Sequence, residues 1–107
     1  MIVVLTEMSF ATESDEAVRA LVPAVERFCR RFEGCERFDV SFPSTRSGTL
    51  FTTELWRDAR TLRAHVAVAH DAPELAPLHA LVKDMKPSLF TASPLDVAAL
   101  QSGEASS

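Results

Sequence analysis

Two segments of strictly alternating side chains constrain the fold of this chain more than any other feature. In the first, 36–42, the apolar residues Phe38, Val40 and Phe42 fall on one side of an extended strand. The second, 49–56, divides into two sets, which are Leu50, Thr52, Glu54 and Trp56 on one side and Phe51, Thr53 and Leu55 on the other. The turn-rich stretch 43–48 lies between them, so the pair predicts a β-hairpin.

The residues before this hairpin predict a strand and a helix. A buried first strand is expected over 2–8, and because its apolar residues fall on both faces it should be central in a sheet. A helix capped by Thr12 or Ser14 follows, with apolar residues recurring every three or four positions. Pro23 is expected to kink or divide this helix, and Gly34 to end it.

The residues after the hairpin predict a helical region in two pieces and a last strand. Asp58 opens the first piece, while Asp71 with Pro73 is typical of a new helix start. The last strand is expected over 86–92, and it should lie at a sheet edge because Pro87 has no backbone N–H to donate.

The resulting order of elements is β-α-β-β-α-β. This order predicts an α+β, ferredoxin-like fold of the split βαβ type, with one four-stranded antiparallel sheet and helices on a single face. We expect one domain, 1–92, followed by a C-terminal extension, 93–107, that is partly disordered because its last residues are small and polar.

The sheet face without helices needs a cover of its own. In a monomer this face would expose either Val3, Leu5, Phe51 and Leu55 or the residues on the opposite side of the same strands. Either set would form an apolar patch larger than monomers usually expose. We therefore expect two copies to pack sheet against sheet as a homodimer.

Composition excludes several classes of function. The net charge is −4 and the arginines are scattered, so no basic stripe is expected for nucleic acid or anionic lipid. Apolar runs are too short to span a bilayer and the N-terminus lacks the features of a signal peptide, so a cytoplasmic location is expected. The 2 cysteines, Cys29 and Cys35, allow neither a disulfide scaffold nor a four-cysteine zinc site.

The chain has 3 histidines, His65, His70 and His79. The first two are separated by about 140° around a helix, so they do not form a standard helical metal pair and no metal site is expected. His65 shares an apolar helix face with Leu62 and should point inward. It is either a core histidine bonded to a backbone carbonyl or a base or donor in a pocket, since imidazole titrates near neutrality.

Glu54 and Trp56 lie two residues apart on one strand face, so both can line one surface. Core packing of Trp56 and an ion pair between Glu54 and an arginine such as Arg37 would explain them. Alternatively, beneath the helix that carries His65, they would form the polar corner of an apolar pocket. Glu7 on the neighbouring first strand is a candidate second carboxylate for that pocket.

The segment 54–70 resembles the E-x-W-x5-L-x2-H-x4-H signature of the antibiotic biosynthesis monooxygenase family. The residues that match it are Glu54, Trp56, Leu62, His65 and His70. Upstream, Gly34, Cys35 and Phe38 are similar to the family's G-C-x-x-(Y/F) approach to its second strand. The resemblance extends over the predicted domain.

This resemblance implies a dimeric α+β barrel with a pocket between sheet and helices in each protomer. Characterised members oxidise quinols or polycyclic phenols with molecular oxygen and without metal, flavin or haem. The implied partners are therefore a small aromatic molecule and oxygen, with no cofactor. In this chain His65 would be the base or phenolate partner, Glu54 would orient a donor and Trp56 would form an aromatic wall. The pocket would also include Leu62, His70 and Glu7.

Two hypotheses of function follow. The first is a cofactor-independent monooxygenase, and the alternative is a dimer of the same fold that binds a small apolar ligand without turnover. They differ in whether His65, Glu54 and Trp56 converge on an open cavity or are packed shut. Haem degradation is found in another branch of this fold, which uses an asparagine, a tryptophan and a haem-ligating histidine. It is disfavoured here because the corresponding positions hold Glu7, His65 and Leu75.

Overall fold

The computed structural model describes residues 1–93 of the chain. Its elements are β1 (Ile2–Phe10), a 3-10 turn (Thr12–Ser14), α1 (Asp15–Arg30), β2 (Cys35–Ser41), β3 (Thr49–Trp56), α2 (Ala59–Ala69), α3 (Ala76–Leu81) and β4 (Val82–Thr91). The predicted β-α-β-β-α-β order is confirmed, including the division of the second helical region. The expected C-terminal extension, 93–107, lies outside the described residues except for its first residue.

The four strands form one antiparallel sheet in the order β2-β3-β1-β4. β1 is central, and β4 lies at an edge, as Pro87 predicted. β4 begins at Val82, however, several residues before the expected start of the strand. Asp84 pairs with Ser9 of β1, so backbone hydrogen bonding extends the strand through a residue type that strands disfavour.

Alternate residues of each strand point to opposite sides of the sheet. On the side covered by the helices, the helix face, the buried residues are Val4, Thr6, Phe38, Leu50, Thr52, Glu54 and Trp56. The other side, the open face, carries Val3, Leu5, Glu7, Phe51, Leu55 and Phe90, as the strand register requires. The predicted division of 49–56 into two sets is therefore confirmed.

α1 covers the helix face with a continuous apolar stripe. Val18, Val25 and Cys29 are buried in the main core cluster. Pro23 does not divide this 16-residue helix. Pro23 is exposed, and so is Arg19, whose carbonyl group loses its helical partner, so water can replace the missing hydrogen bond. Within residues 1–93, no helix combines the length and apolarity needed to cross a membrane.

The first turn of α2 is fixed at both its cap and its side. The carboxylate of Asp58 accepts a hydrogen bond from the Thr61 backbone N–H at 2.8 Å, as expected of an N-cap. Gly34 has φ +81°, and a Cβ atom built there would lie 2.4 Å from the Thr61 Cβ. The Arg57 N–H also donates to the Gly34 carbonyl at 2.8 Å. The turn after α1 thus holds α2, and with it His65, over the sheet.

α3 begins later in the chain than predicted. The residues around Asp71 and Pro73 form turns, one of them closed by a bond from the Leu75 N–H to the Ala72 carbonyl at 3.1 Å. The helix itself starts at Ala76 without a side-chain cap. A proline in the first turn thus marks the helix start, but it is the second proline of the region and not the first.

Candidate functional site

A cavity of about 710 Å³ lies between the helix face and the three helices. Val4, Leu50 and Thr52 form part of its floor, and side chains of α1, α2 and α3 form its walls. It extends to the exposed side chains of Met85 and Leu89 on β4. Its volume lies within the usual range for pockets that enclose small organic ligands.

His65 of α2 lines this cavity with 7% of its surface exposed. Neither Nδ1 nor Nε2 has a hydrogen-bond partner among the described residues. The backbone carbonyl expected for a core histidine is therefore not bonded to it. Both nitrogens are themselves inaccessible to solvent, and buried polar atoms are nearly always paired in folded proteins, so His65 is an exception that the stability of the fold does not explain.

Three aromatic rings surround the His65 imidazole. Its ring centre lies 4.7 Å from that of Phe32 in an edge-to-face contact, 4.5 Å from that of Trp56, and 6.4 Å from that of Phe38. This burial lowers the pKa of His65 to about 4, because the charged form loses hydration. The imidazole is accordingly neutral at pH 7 and offers one N–H donor and one lone pair.

Glu54 also lines the cavity, and its carboxylate accepts two hydrogen bonds. Trp56 Nε1 donates to Oε1 at 2.9 Å, and Thr52 Oγ1 donates to Oε2 at 3.1 Å. Burial raises the pKa of Glu54, while these two bonds act in the opposite direction. The expected pair with Arg37 is not formed, because Arg37 lies on the open face and pairs there with Asp39 at 2.9 Å.

The other residues predicted for the pocket differ in whether they reach the cavity. Leu62 and His70 line the cavity as expected, His70 at an exposed position where its Nδ1 lies 3.0 Å from Asp71 Oδ1. Trp56 is fully buried and does not line the cavity. The prediction that it forms a wall is wrong, because it lies beneath the surface and supports His65 and Glu54.

Glu7 is not part of the cavity. It points to the open face, where its Oε1 accepts a hydrogen bond from Arg46 at 3.1 Å. Because side chains alternate along β1, the neighbouring Thr6 takes the position on the cavity floor. The prediction that Glu7 supplies a second carboxylate to the pocket is therefore wrong, because the adjacent residue, Thr6, points into it.

Three residues of the site were not singled out from the sequence. Thr52 bonds Glu54, and Thr6 lies directly opposite Thr52 in the β1–β3 register. The spacing of two residues between Thr52 and Glu54 places both on one strand face and could have identified Thr52 from the sequence. Phe32 contacts His65 from the turn after α1, where no periodic pattern connects it to α2.

The thiol of Cys29 lies on the α1 side of the cavity. Burial, and secondarily the charge of Glu54, raises the pKa of Cys29 to about 12, so the thiol stays protonated at pH 7 and is a poor nucleophile. Among residues 1–93, no three histidine, cysteine, aspartate or glutamate side chains are grouped so that they could hold a metal ion.

Comparisons with solved structures place this fold among known proteins. A Deinococcus radiodurans protein described as a candidate antibiotic biosynthesis monooxygenase is 23% identical, with a TM-score of 0.77 over 90% of this chain and 96% of that one. A variant of SnoaB, a cofactor-independent oxygenase from Streptomyces nogalater, is 21% identical, with a TM-score of 0.66 over 88% and 94%. Rv0793 from Mycobacterium tuberculosis is 23% identical, with a TM-score of 0.70 over 89% and 95%. These likenesses establish the fold.

The family follows from the sequence itself. No curated protein matches the chain. Residues 1–70, which include β1 to α2 and the motif that carries Glu54 and His65, match the profile of the family described as antibiotic biosynthesis monooxygenase. This chain therefore belongs to the antibiotic biosynthesis monooxygenase family.

Proposed function

We propose that this protein is a cofactor-independent monooxygenase that oxidises a small aromatic quinol or polycyclic phenol with molecular oxygen. The observation that carries the proposal is His65, a nearly buried residue of the apolar cavity lining whose two ring nitrogens have no partner within residues 1–93. Family membership supports it, as does the similar fold of SnoaB, which is named a cofactor-independent oxygenase.

The electrons for such a reaction come from the substrate. In an anthrone-type phenol, a ring CH₂ group becomes a carbonyl group: one oxygen atom of O₂ enters the carbon skeleton, and the other leaves as water with the two hydrogens. No external reductant is needed. The protein has to accept a proton from the substrate, hold the electron-rich ring in place and keep water from the reactive intermediate.

We assign the proton transfer to Glu54 and the binding of the substrate oxygen to His65. A general base works best when its pKa lies near the working pH. Burial moves the pKa of Glu54 upward, towards neutrality, and moves that of His65 down to about 4, away from it. The neutral imidazole retains an N–H that can donate to the developing phenolate oxygen. Trp56 and Thr52 hold the Glu54 carboxylate from below.

We further propose that the functional unit is a homodimer joined through the open face. Leu5 is 43% exposed and Phe90 is 53% exposed on this face, and no helix within residues 1–93 covers them. The ion pair between Glu7 and Arg46 lies on the same side of the sheet and places the Arg46 guanidinium 5.7 Å from the Phe51 ring centre. An apolar centre next to paired charges is typical of a self-complementary interface.

Oxygen uptake with a panel of hydroquinones and anthrones tests the proposed activity. We expect catalysed uptake by the native protein, and a fall of about a hundredfold in His65→Ala and in Glu54→Gln. Melting of each variant is measured in parallel, because the loss of the ring contacts between His65 and Phe32 and Trp56 lowers stability and has to be separated from a loss of catalysis. Arg63→Ala, on the exposed side of α2, is the matched control and should retain the native rate.

Two outcomes would contradict the enzyme hypothesis. Folded His65→Ala and Glu54→Gln proteins with the native rate would remove both residues from catalysis. Saturable binding of the panel without any catalysed uptake would favour the alternative, a dimer that binds an aromatic ligand without turnover.

A further inference from the structure

Among residues 1–93, Glu54 is a buried carboxylate without a compensating cation. It is 8% exposed, and the two groups that donate to it, the Thr52 hydroxyl and the Trp56 indole, are both neutral. None of the ion pairs within residues 1–93 includes Glu54. When Glu54 is ionised, its negative charge is balanced within the described residues only by these hydrogen bonds, and it acts on whatever enters the cavity.

The rest of the cavity provides no positive charge to offset it. In the described part of the chain, no lysine or arginine lines the cavity. His65 is neutral at pH 7, since burial lowers its pKa to about 4. His70 and His79 line the cavity from exposed positions, where water screens them.

The field of Glu54 extends across the cavity. Cys29 lies on α1, on the side opposite the sheet, and the Glu54 charge is the second cause of its raised pKa, after burial. Walls with few polar atoms screen such a charge weakly. A ligand between β3 and α1 therefore lies within reach of the Glu54 charge.

We propose that Glu54 is a specificity-determining residue, which admits aromatic ligands with uncharged polar groups and rejects those with a carboxylate or phosphate. The neutral His65 complements this selection, since its N–H and its lone pair suit hydroxyl, carbonyl or amide groups. The inference rests on the proposed function only in taking this cavity as the ligand site. It does not require turnover.

The test compares two ligands of the same shape, 6-hydroxy-2-naphthamide and 6-hydroxy-2-naphthoate, by calorimetric titration at pH 7.5 without oxygen. We expect the amide to bind about a hundredfold more tightly, because the carboxylate loses hydration in an apolar cavity and is repelled by Glu54. Glu54→Gln removes the repulsion but not the loss of hydration. It should therefore reduce the affinity ratio by about tenfold.

Glu16→Gln, which removes an exposed carboxylate of α1, is the matched control and should retain the native ratio. Equal affinities in the native protein, an unchanged ratio in Glu54→Gln, or no binding of either ligand would overturn the inference. The titration needs no oxygen, so its result is independent of the oxygen-uptake assay. If the protein selects ligands by charge but catalyses no oxygen uptake, the proposed enzyme is refuted and this inference stands.

Discussion

His65 is enclosed by Phe32, Phe38 and Trp56, yet both of its ring nitrogens lack a partner among the described residues. A buried polar group without a hydrogen bond costs about 1–3 kcal/mol. A ligand that pairs with the imidazole recovers this free energy on binding. His65 thus lowers the stability of the protein without ligand and raises its affinity for a polar aromatic molecule.

The depressed pKa of His65 predicts a specific loss of stability in mild acid. In the unfolded chain the imidazole takes up a proton near pH 6.5, whereas in the folded protein it does so near pH 4. Between these values the unfolded state binds more protons, so the free energy of unfolding decreases as the pH falls, by up to about 3 kcal/mol. Chemical denaturation at pH 7 and at pH 4.5 measures this change.

His65→Leu is the reference for this measurement, because the raised pKa of Glu54 gives a dependence of stability on pH with the opposite sign. Its raised pKa contributes stability that is present at low pH and is lost as the pH rises through the folded value. Subtracting the variant from the native protein isolates His65. The same dependence on pH in both proteins would show that folding does not lower the pKa of His65.

At the scale of elements, the position of α2 determines where His65 lies. Its first turn is in contact with Gly34, and Thr61 is 2% exposed, so this side chain has little room to move. An added Cβ at Gly34 would overlap Thr61 and would also strain a backbone with φ +81°. Displacing the turn from the helix would in turn displace His65 from the cavity wall.

Gly34→Ala should therefore cost at least about 2 kcal/mol in the free energy of unfolding, more than left-handed strain alone. It should also weaken ligand binding in the protein that remains folded. Asp58→Asn, which alters the same junction but keeps the capping acceptor, should cost far less. A cost below 1 kcal/mol for Gly34→Ala would show that the turn and α2 move apart easily.

The sequence predicts which helices and strands form better than where they end. It also predicts the strand face on which a residue lies better than how deeply that residue is buried. The alternation in β3 placed Glu54 and Trp56 on the correct face, because a period of two determines the side of a strand. It could not show that Trp56 is covered by His65 while Glu54 lines the cavity, since depth depends on how α2 packs on the sheet. For β1, whose residues are apolar on both faces, even the side of Glu7 was undetermined.

At the scale of the whole molecule, the open face predicts a dimer that a single charge can dissociate. Leu5→Glu places a carboxylate at the centre of the proposed interface, where its burial against a second copy is unfavourable. At micromolar concentration, light scattering should give twice the chain mass for the native protein and a single chain mass for the variant. Because Leu5 is part exposed in the single chain, folding should persist.

Val68→Glu is the control for this substitution, since Val68 is 52% exposed on α2, on the side away from the open face. It should leave the dimer intact. A native protein that is monomeric under these conditions, or a Leu5→Glu protein that remains dimeric, would exclude the open face as the interface.

The fate of the two atoms of molecular oxygen tests the central claim most directly. The native protein is supplied with ¹⁸O₂ and 1,8-dihydroxyanthrone, without added metal, flavin or haem, and the products are measured by mass spectrometry against protein-free and Glu54→Gln samples. We predict one labelled oxygen in the new carbonyl group and one in water, formed faster than in either reference. Label recovered as hydrogen peroxide, or a rate equal to that of the protein-free sample, would contradict the assignment of this cavity as a monooxygenase site.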